Sequence, residues 1–159
     1  MKSIFTRRNF AKQSAKLALA FLVPFKINYV MNPKGVVVKA SKYSVKETID
    51  RLQTILQQRG ATIYSRINQQ AEIEKAGGKL SPLEFIMFGN PKIGGAIMAE
   101  NKLAALDLPL KVIAWEDEQN KVWIAYNEAS YIEERYSLAP NKNPGLNLER
   151  LVNEVAGAI

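Results

Sequence analysis

The chain has 159 residues, no cysteine, no histidine and a formal net charge of +7. That length sets one domain or two at most. The two absences exclude disulfide frameworks, thiolate nucleophiles, Ser-His-Asp and Cys-His arrangements and ordinary zinc sites. Any catalysis must come from carboxylates, Lys, Tyr, Ser or a bound cofactor whose identity the sequence leaves unknown.

The charge is concentrated at one end. Residues 1–33 hold six of the 22 Lys/Arg and none of the 15 Asp/Glu, so the rest carries 16 against 15, a net of +1. The body therefore offers no charge-based case for binding nucleic acid. "TRRNFAKQSAKLALAFLVPF", Thr6–Phe25, has a basic start followed by an Ala- and Leu-rich apolar run, the order of an export signal. Arg7-Arg8 with Phe10 and Lys12 resembles the twin-arginine motif, with Ala11 where Leu is usual. Pro24 and Lys26 keep the run below the ~20 residues of a spanning helix. Residues 1–33 are expected to be a leader that sends a body over 34–159 to the periplasm or another extracytoplasmic compartment. It touches the membrane only if left uncleaved. The alternative is a basic amphipathic helix on a cytoplasmic protein.

"GVVVKASKYS", Gly35–Ser44, supports two incompatible readings. Val38-Lys39-Ala40 before Ser41 has the form of a signal-peptidase site, whereas Val36-Val37-Val38 is a β-branched run suited to a strand. Ser44-Val45-Lys46-Glu47 then has capping-box form, and Val45, Ile49, Leu52 and Leu56 follow at helical spacing to Gly60. A helix over 45–59 is expected. "ATIYSRI" (61–67) reads as a strand with Ile63, Ser65 and Ile67 on one face, and "QQAEIEK" as a helical turn or two before Gly77-Gly78. "LEFIMFG" (83–89) reads as a central strand. Asn90-Pro91 breaks direction before a short helix from about Gly95. "PLKVIAWED" (109–117) and "KVWIAYN" (121–127) form a hairpin across "EQN". "ASYIEERY" (129–136) is helical with Ser130 as its cap, and Leu148, Leu151, Val152 and Val155 stripe a C-terminal helix.

The motifs "SKYSVKETIDRL" (41–52), "FGNPK" (88–92), "LDLPLKVIAWED" (106–117), "VWIAYN" (122–127) and "ERY" (134–136) resemble, in this order, the bacterial and archaeal domain-of-unknown-function family 302. The resemblance implies an α+β fold: one mostly antiparallel sheet of about five strands with two main helices on one face, in the order β-α-β4-α. It also implies homodimers, and no established activity. Under that fold "VVVKAS" is the first strand, and a cut after Ala40 would delete it. Cleavage, if any, then belongs upstream. The family pattern has His where this chain has Gln69 and Tyr136, so a role resting on those imidazoles is lost here.

Two constellations stand out. Gly89, Asn90, Lys92, Gly94 and Gly95 form a glycine-rich turn after a strand, suited to holding an anion on backbone N–H groups. The plainer reading is a strand-ending turn with glycines chosen for backbone angles. Glu116, Asp117 and Glu118 cluster between Trp115 and Trp123. Three carboxylates suit a divalent cation, although the spacing is not that of an EF-hand, and a hairpin tip is usually just solvated. Arg135 beside Tyr136 is a further anion-binding candidate. The leading expectation is an exported, non-catalytic domain binding a small molecule or a partner protein. An enzyme using Glu116, Asp117 or Lys92, with or without a divalent metal, is the first alternative; a homodimeric assembly protein is the second.

Overall fold

The structure, a computed structural model, describes residues 33–140 and 142–157, so the twin-arginine-like segment lies outside the described residues. The β-branched run is a strand: β1 spans Val36–Ser41, and the peptidase-like sequence is built into the sheet. Gly35 leads into it at φ +79°, and its carbonyl accepts from the Glu128 N–H at 2.8 Å. The remaining strands are β2 (Thr62–Asn68), β3 (Leu83–Gly89), β4 (Leu110–Glu116) and β5 (Val122–Asn127). They pair antiparallel in the order β1-β5-β4-β3-β2, which is the expected α+β sheet.

Among the described residues five α-helices accompany them: α1 (Val45–Gln58), α2 (Gln69–Lys75), α3 (Pro91–Glu100), α4 (Ala129–Arg135) and α5 (Glu149–Ala156). α1 forms because its apolar residues recur every three to four positions, burying Val45, Ile49, Leu52 and Leu56 on one stripe. Gly60, at φ +72°, supplies the left-handed residue that ends it. Strand alternation sends Ile86, Val112, Ala114 and Ile124 toward α1, where they meet Ile49 and Leu52 and the Leu151, Val152 and Val155 of α5. The opposite sheet face carries Val36, Val38, Phe85, Ile113, Trp115 and Trp123, all half-buried.

Four local expectations need correction. Ser44 does accept from the Glu47 N–H at 3.2 Å, but Glu47 does not bond back, so only half the capping box forms. Ile63 and Ser65 do not share a face, because β2 bulges at Tyr64: Ile63 pairs with Phe88 and Ser65 with Met87. The extra residue inverts the alternation beyond it. α3 begins at Pro91, not near Gly95, because the Asn90 side chain accepts from the Lys92 N–H at 2.9 Å and proline suits the first helical position. Ser130 lies inside α4 and caps nothing. The helix starts after Glu128, whose N–H is already held by Gly35.

Beneath α1, Arg66 of β2 gathers a part-buried ion network around the buried Glu84. Its Nε and Nη2 donate to Glu84 Oε2 at 3.0 and 2.7 Å, and its Nη1 donates to Asp50 Oδ1 at 2.6 Å. Hydrogen bonds from Lys46 and then Arg66 hold the Asp50 carboxyl below its ordinary 3.8. A lowered folded-state pKa stabilises the fold above the unfolded value of about 4. That contribution is lost as pH falls through the folded value. We expect urea midpoints measured from pH 6 down to pH 2 to fall less steeply in Asp50→Asn than in the parent.

Candidate binding site

One end of the sheet opens into a cavity of about 430 Å³. Five parts of the chain build it. The end of α1 and the start of β2 give Leu56, Arg59, Ala61 and Tyr64; β3 gives Phe88 and Gly89; α3 gives Ile93, Gly94, Ile97 and Met98; and the segment entering β4 gives Leu108, Pro109 and Leu110. Pro144, Gly145, Leu148 and Leu151 close the far wall. The lining is mostly apolar, its polar side chains being Arg59, Tyr64 and the amides of Asn90 and Asn147. Arg59 is tied to Glu154 by Nη2 at 2.5 Å, which places its charge at the rim.

Two local features create the space. The bulge turns Tyr64 out of the ladder and against the cavity, beside Gly89: a Cβ built there would sit 3.7 Å from its ring. Within α3, Gly94 and Gly95 each cost about 1 kcal/mol of helix stability relative to Ala. Gly94 lines the cavity, and a Cβ added there meets only Met98 Cε at 4.0 Å. Nothing lies within 4 Å of a Cβ at Gly95, which does not line the cavity. Position 94 therefore puts no side chain into the cavity.

Of the eight site residues read from the sequence, Gly89, Asn90 and Gly94 line this cavity together. Lys92 and Gly95 lie on the same helix outside the lining. The turn does not present an anion cradle at its start, since Pro91 has no N–H and that of Lys92 is taken by Asn90. Trp115 and Asp117 are elsewhere: Trp115 pairs with Leu83, while Leu110, at the cavity, pairs with Phe88. Five residue steps, about 17 Å, separate those positions. The Asp117 carboxylate accepts from the N–H groups of Gln119 and Lys121, each at 2.9 Å, and from the Trp123 indole at 2.7 Å. The indole bond is the largest cause of its lowered pKa. It organises the hairpin tip. No cluster of three or more acidic side chains among the described residues is arranged to hold a metal ion.

Arg135 donates to Asp107 Oδ2 at 3.2 Å, and the Tyr136 hydroxyl donates to the same oxygen at 2.6 Å. Burial and then that bond push the Tyr136 pKa up. Gln69 opens α2 beyond β2, at the Glu84 end of β3, so the two positions expected to hold family histidines lie at opposite ends of the sheet. Imidazoles there would not converge on one site. Tyr64, Arg59, Ile93 and Gly145 escaped the sequence reading. Only the glycine-rich turn pointed to this end of the molecule.

The family model for the domain of unknown function DUF302 matches residues 37–155. A solved structure of an uncharacterised conserved DUF302 protein from Bacillus stearothermophilus superposes with a TM-score of 0.59 at 16% identity, covering 79% of this chain and 90% of that one. Proteins named fluoride-specific ion channel FluC 1 from Brucella suis and Brucella abortus are 38% identical over 104 residues. That stretch is 65% of this chain but only 41% and 38% of those relatives. The chain thus spans about two fifths of the curated relatives it matches. Among the described residues no helix is long and apolar enough to cross a membrane.

Proposed function

Given that the chain belongs to the DUF302 family, we propose that it is a binding domain whose apolar cavity, walled by α3 and the Tyr64 bulge, takes a small molecule with an apolar body. Asn90, Asn147 and Arg59 offer a polar end of that molecule its hydrogen bonds. The observation that carries this reading is the apolar-walled cavity of about 430 Å³, into which Gly94, a costly residue in a helix, puts no side chain. Lys92 and the Glu116–Asp117 tip sit at opposite ends of the sheet, so they do not assemble a catalytic group. Fluoride conduction is not carried over from relatives matched over two fifths of their length.

Native and denatured mass spectrometry of protein purified from an extracytoplasmic fraction tests the reading. A native mass above the sum of its chains by a defined small molecule supports it; matching masses contradict it. The denatured mass also locates the mature N-terminus, which the expected leader places before Gly35.

The apolar sheet face away from α1 favours a second reading, self-association with another copy of the chain. Sedimentation should then give a dimer that Ile113→Lys, at the centre of this face, converts to monomer. A monomeric parent, or a dimer indifferent to the lysine, removes this reading.

A further inference from the structure

The apolar cavity has a polar rim whose hydrogen-bonding sense is set by the fold. Asn90 Oδ1 accepts from the Lys92 N–H at 2.9 Å, and Asn147 Oδ1 accepts from the Glu149 N–H at 3.0 Å. A backbone N–H can be met only by the oxygen of a side-chain amide, so both amides are fixed in orientation. What each leaves without a partner among the described residues is its N–H2 group. Arg59 behaves alike: Glu154 holds its Nη2, while Nε and Nη1 have no partner among the described residues. All three side chains are exposed and stand at the mouth, whereas Phe88, Ile97, Leu110 and Leu151 of the lining are buried.

The unused groups at the mouth are therefore donors. Tyr64, the other polar side chain of the lining, can donate or accept, and no Asp or Glu lines the cavity. A head group that must itself donate, an ammonium above all, meets no anion in this lining. One that only accepts meets N–H groups from three segments of the chain. Exposure at the mouth also lets an anion keep part of its hydration, which removes most of the cost of burying a charge.

We propose that the ligand of this cavity is a medium-chain carboxylate. Its alkyl chain lies against Phe88, Ile97, Leu110 and Leu151, and its carboxylate draws on the N–H groups of Arg59, Asn90 and Asn147. Hydrogen bonds to an ionised acceptor are stronger than those to a neutral one, so the carboxylate gains more from these donors than an alcohol does. The volume of about 430 Å³ is that of a site for one small ligand. This inference rests on the reading of the cavity as a site for an apolar body and adds the chemistry of the head.

Displacement of bound N-phenyl-1-naphthylamine from the full chain by decanoate, decan-1-ol and decylamine, near neutral pH, separates head from body. Decanoate should displace the probe at a concentration about tenfold lower than decan-1-ol, with decylamine the weakest. Arg59→Gln removes the charge and keeps an N–H2. It should raise the decanoate requirement about tenfold and leave decan-1-ol and the probe unchanged. The order of the three chains on the parent decides independently of the variant. Equal displacement by all three, or strongest displacement by decylamine, would overturn the carboxylate while the apolar cavity stands. So would a decanoate affinity unmoved by Arg59→Gln. A parent that binds neither the probe nor any of the chains would remove the cavity reading, and this inference with it.

Discussion

A chain that starts at Ser41 is expected not to fold, whereas one that starts at residue 33 should unfold in a single cooperative transition. β1 makes six register pairs with β5, from Val36↔Asn127 to Ser41↔Val122. At roughly 1 kcal/mol per ladder bond, their loss is comparable to the roughly 5–15 kcal/mol that holds a whole domain together. The cut also bares β5, whose Ile124 and Tyr126 belong to the core, as a new sheet edge. It severs the Gly35–Glu128 bond that positions α4. Far-UV circular dichroism with thermal melting on the two chains decides the matter. A cooperative melt from the Ser41 chain would make β1 dispensable and restore Val38-Lys39-Ala40 as a plausible processing site.

Arg66→Ala should cost about 3 kcal/mol, because it strands Glu84 as a buried carboxylate without its cation. After the substitution Glu84 keeps only the 3.3 Å bond from Asn68 Nδ2. Asp50 is more exposed, retains Lys46 at 2.7 Å and should contribute little to the loss. The mechanism predicts recovery: Arg66→Met with Glu84→Gln should be markedly more stable than Arg66→Ala alone, since both charges leave together. Urea unfolding of the parent, the single and the double variant measures this. A loss under 1 kcal/mol in Arg66→Ala would mean that water already reaches Glu84.

Much of the fold was legible because its signals are local. Ser44 and the stripe from Val45 to Leu56 announced α1, and the alternation on either side of "EQN" announced the β4–β5 hairpin. Gly60 marked a helix end through its backbone freedom. Asn90-Pro91 carried the opposite of the meaning first given it. An asparagine cap followed by proline starts a helix as readily as it breaks one. The Tyr64 bulge left no trace, because its position depends on where β3 pairs. Glu84 sat unnoticed in an apolar strand, since its partner Arg66 lies 18 residues away in sequence and is itself shared with Asp50, another 16 residues back. The candidate site was half legible: glycines pointed to the turn, but its apolar character comes from α1, β4 and the C-terminal segment, which only the fold brings there.

Whether the cavity beside α3 takes an apolar molecule is read with the fluorescent probe N-phenyl-1-naphthylamine on the parent, Gly94→Leu and Gly95→Ala. Both substitutions improve helix propensity and should stabilise the fold by up to about 1 kcal/mol. Only leucine at 94 projects into the cavity. The parent and Gly95→Ala should bind the probe alike, and Gly94→Leu, though no less stable, should bind it at least tenfold more weakly. Equal binding by all three, or none by the parent, would contradict it.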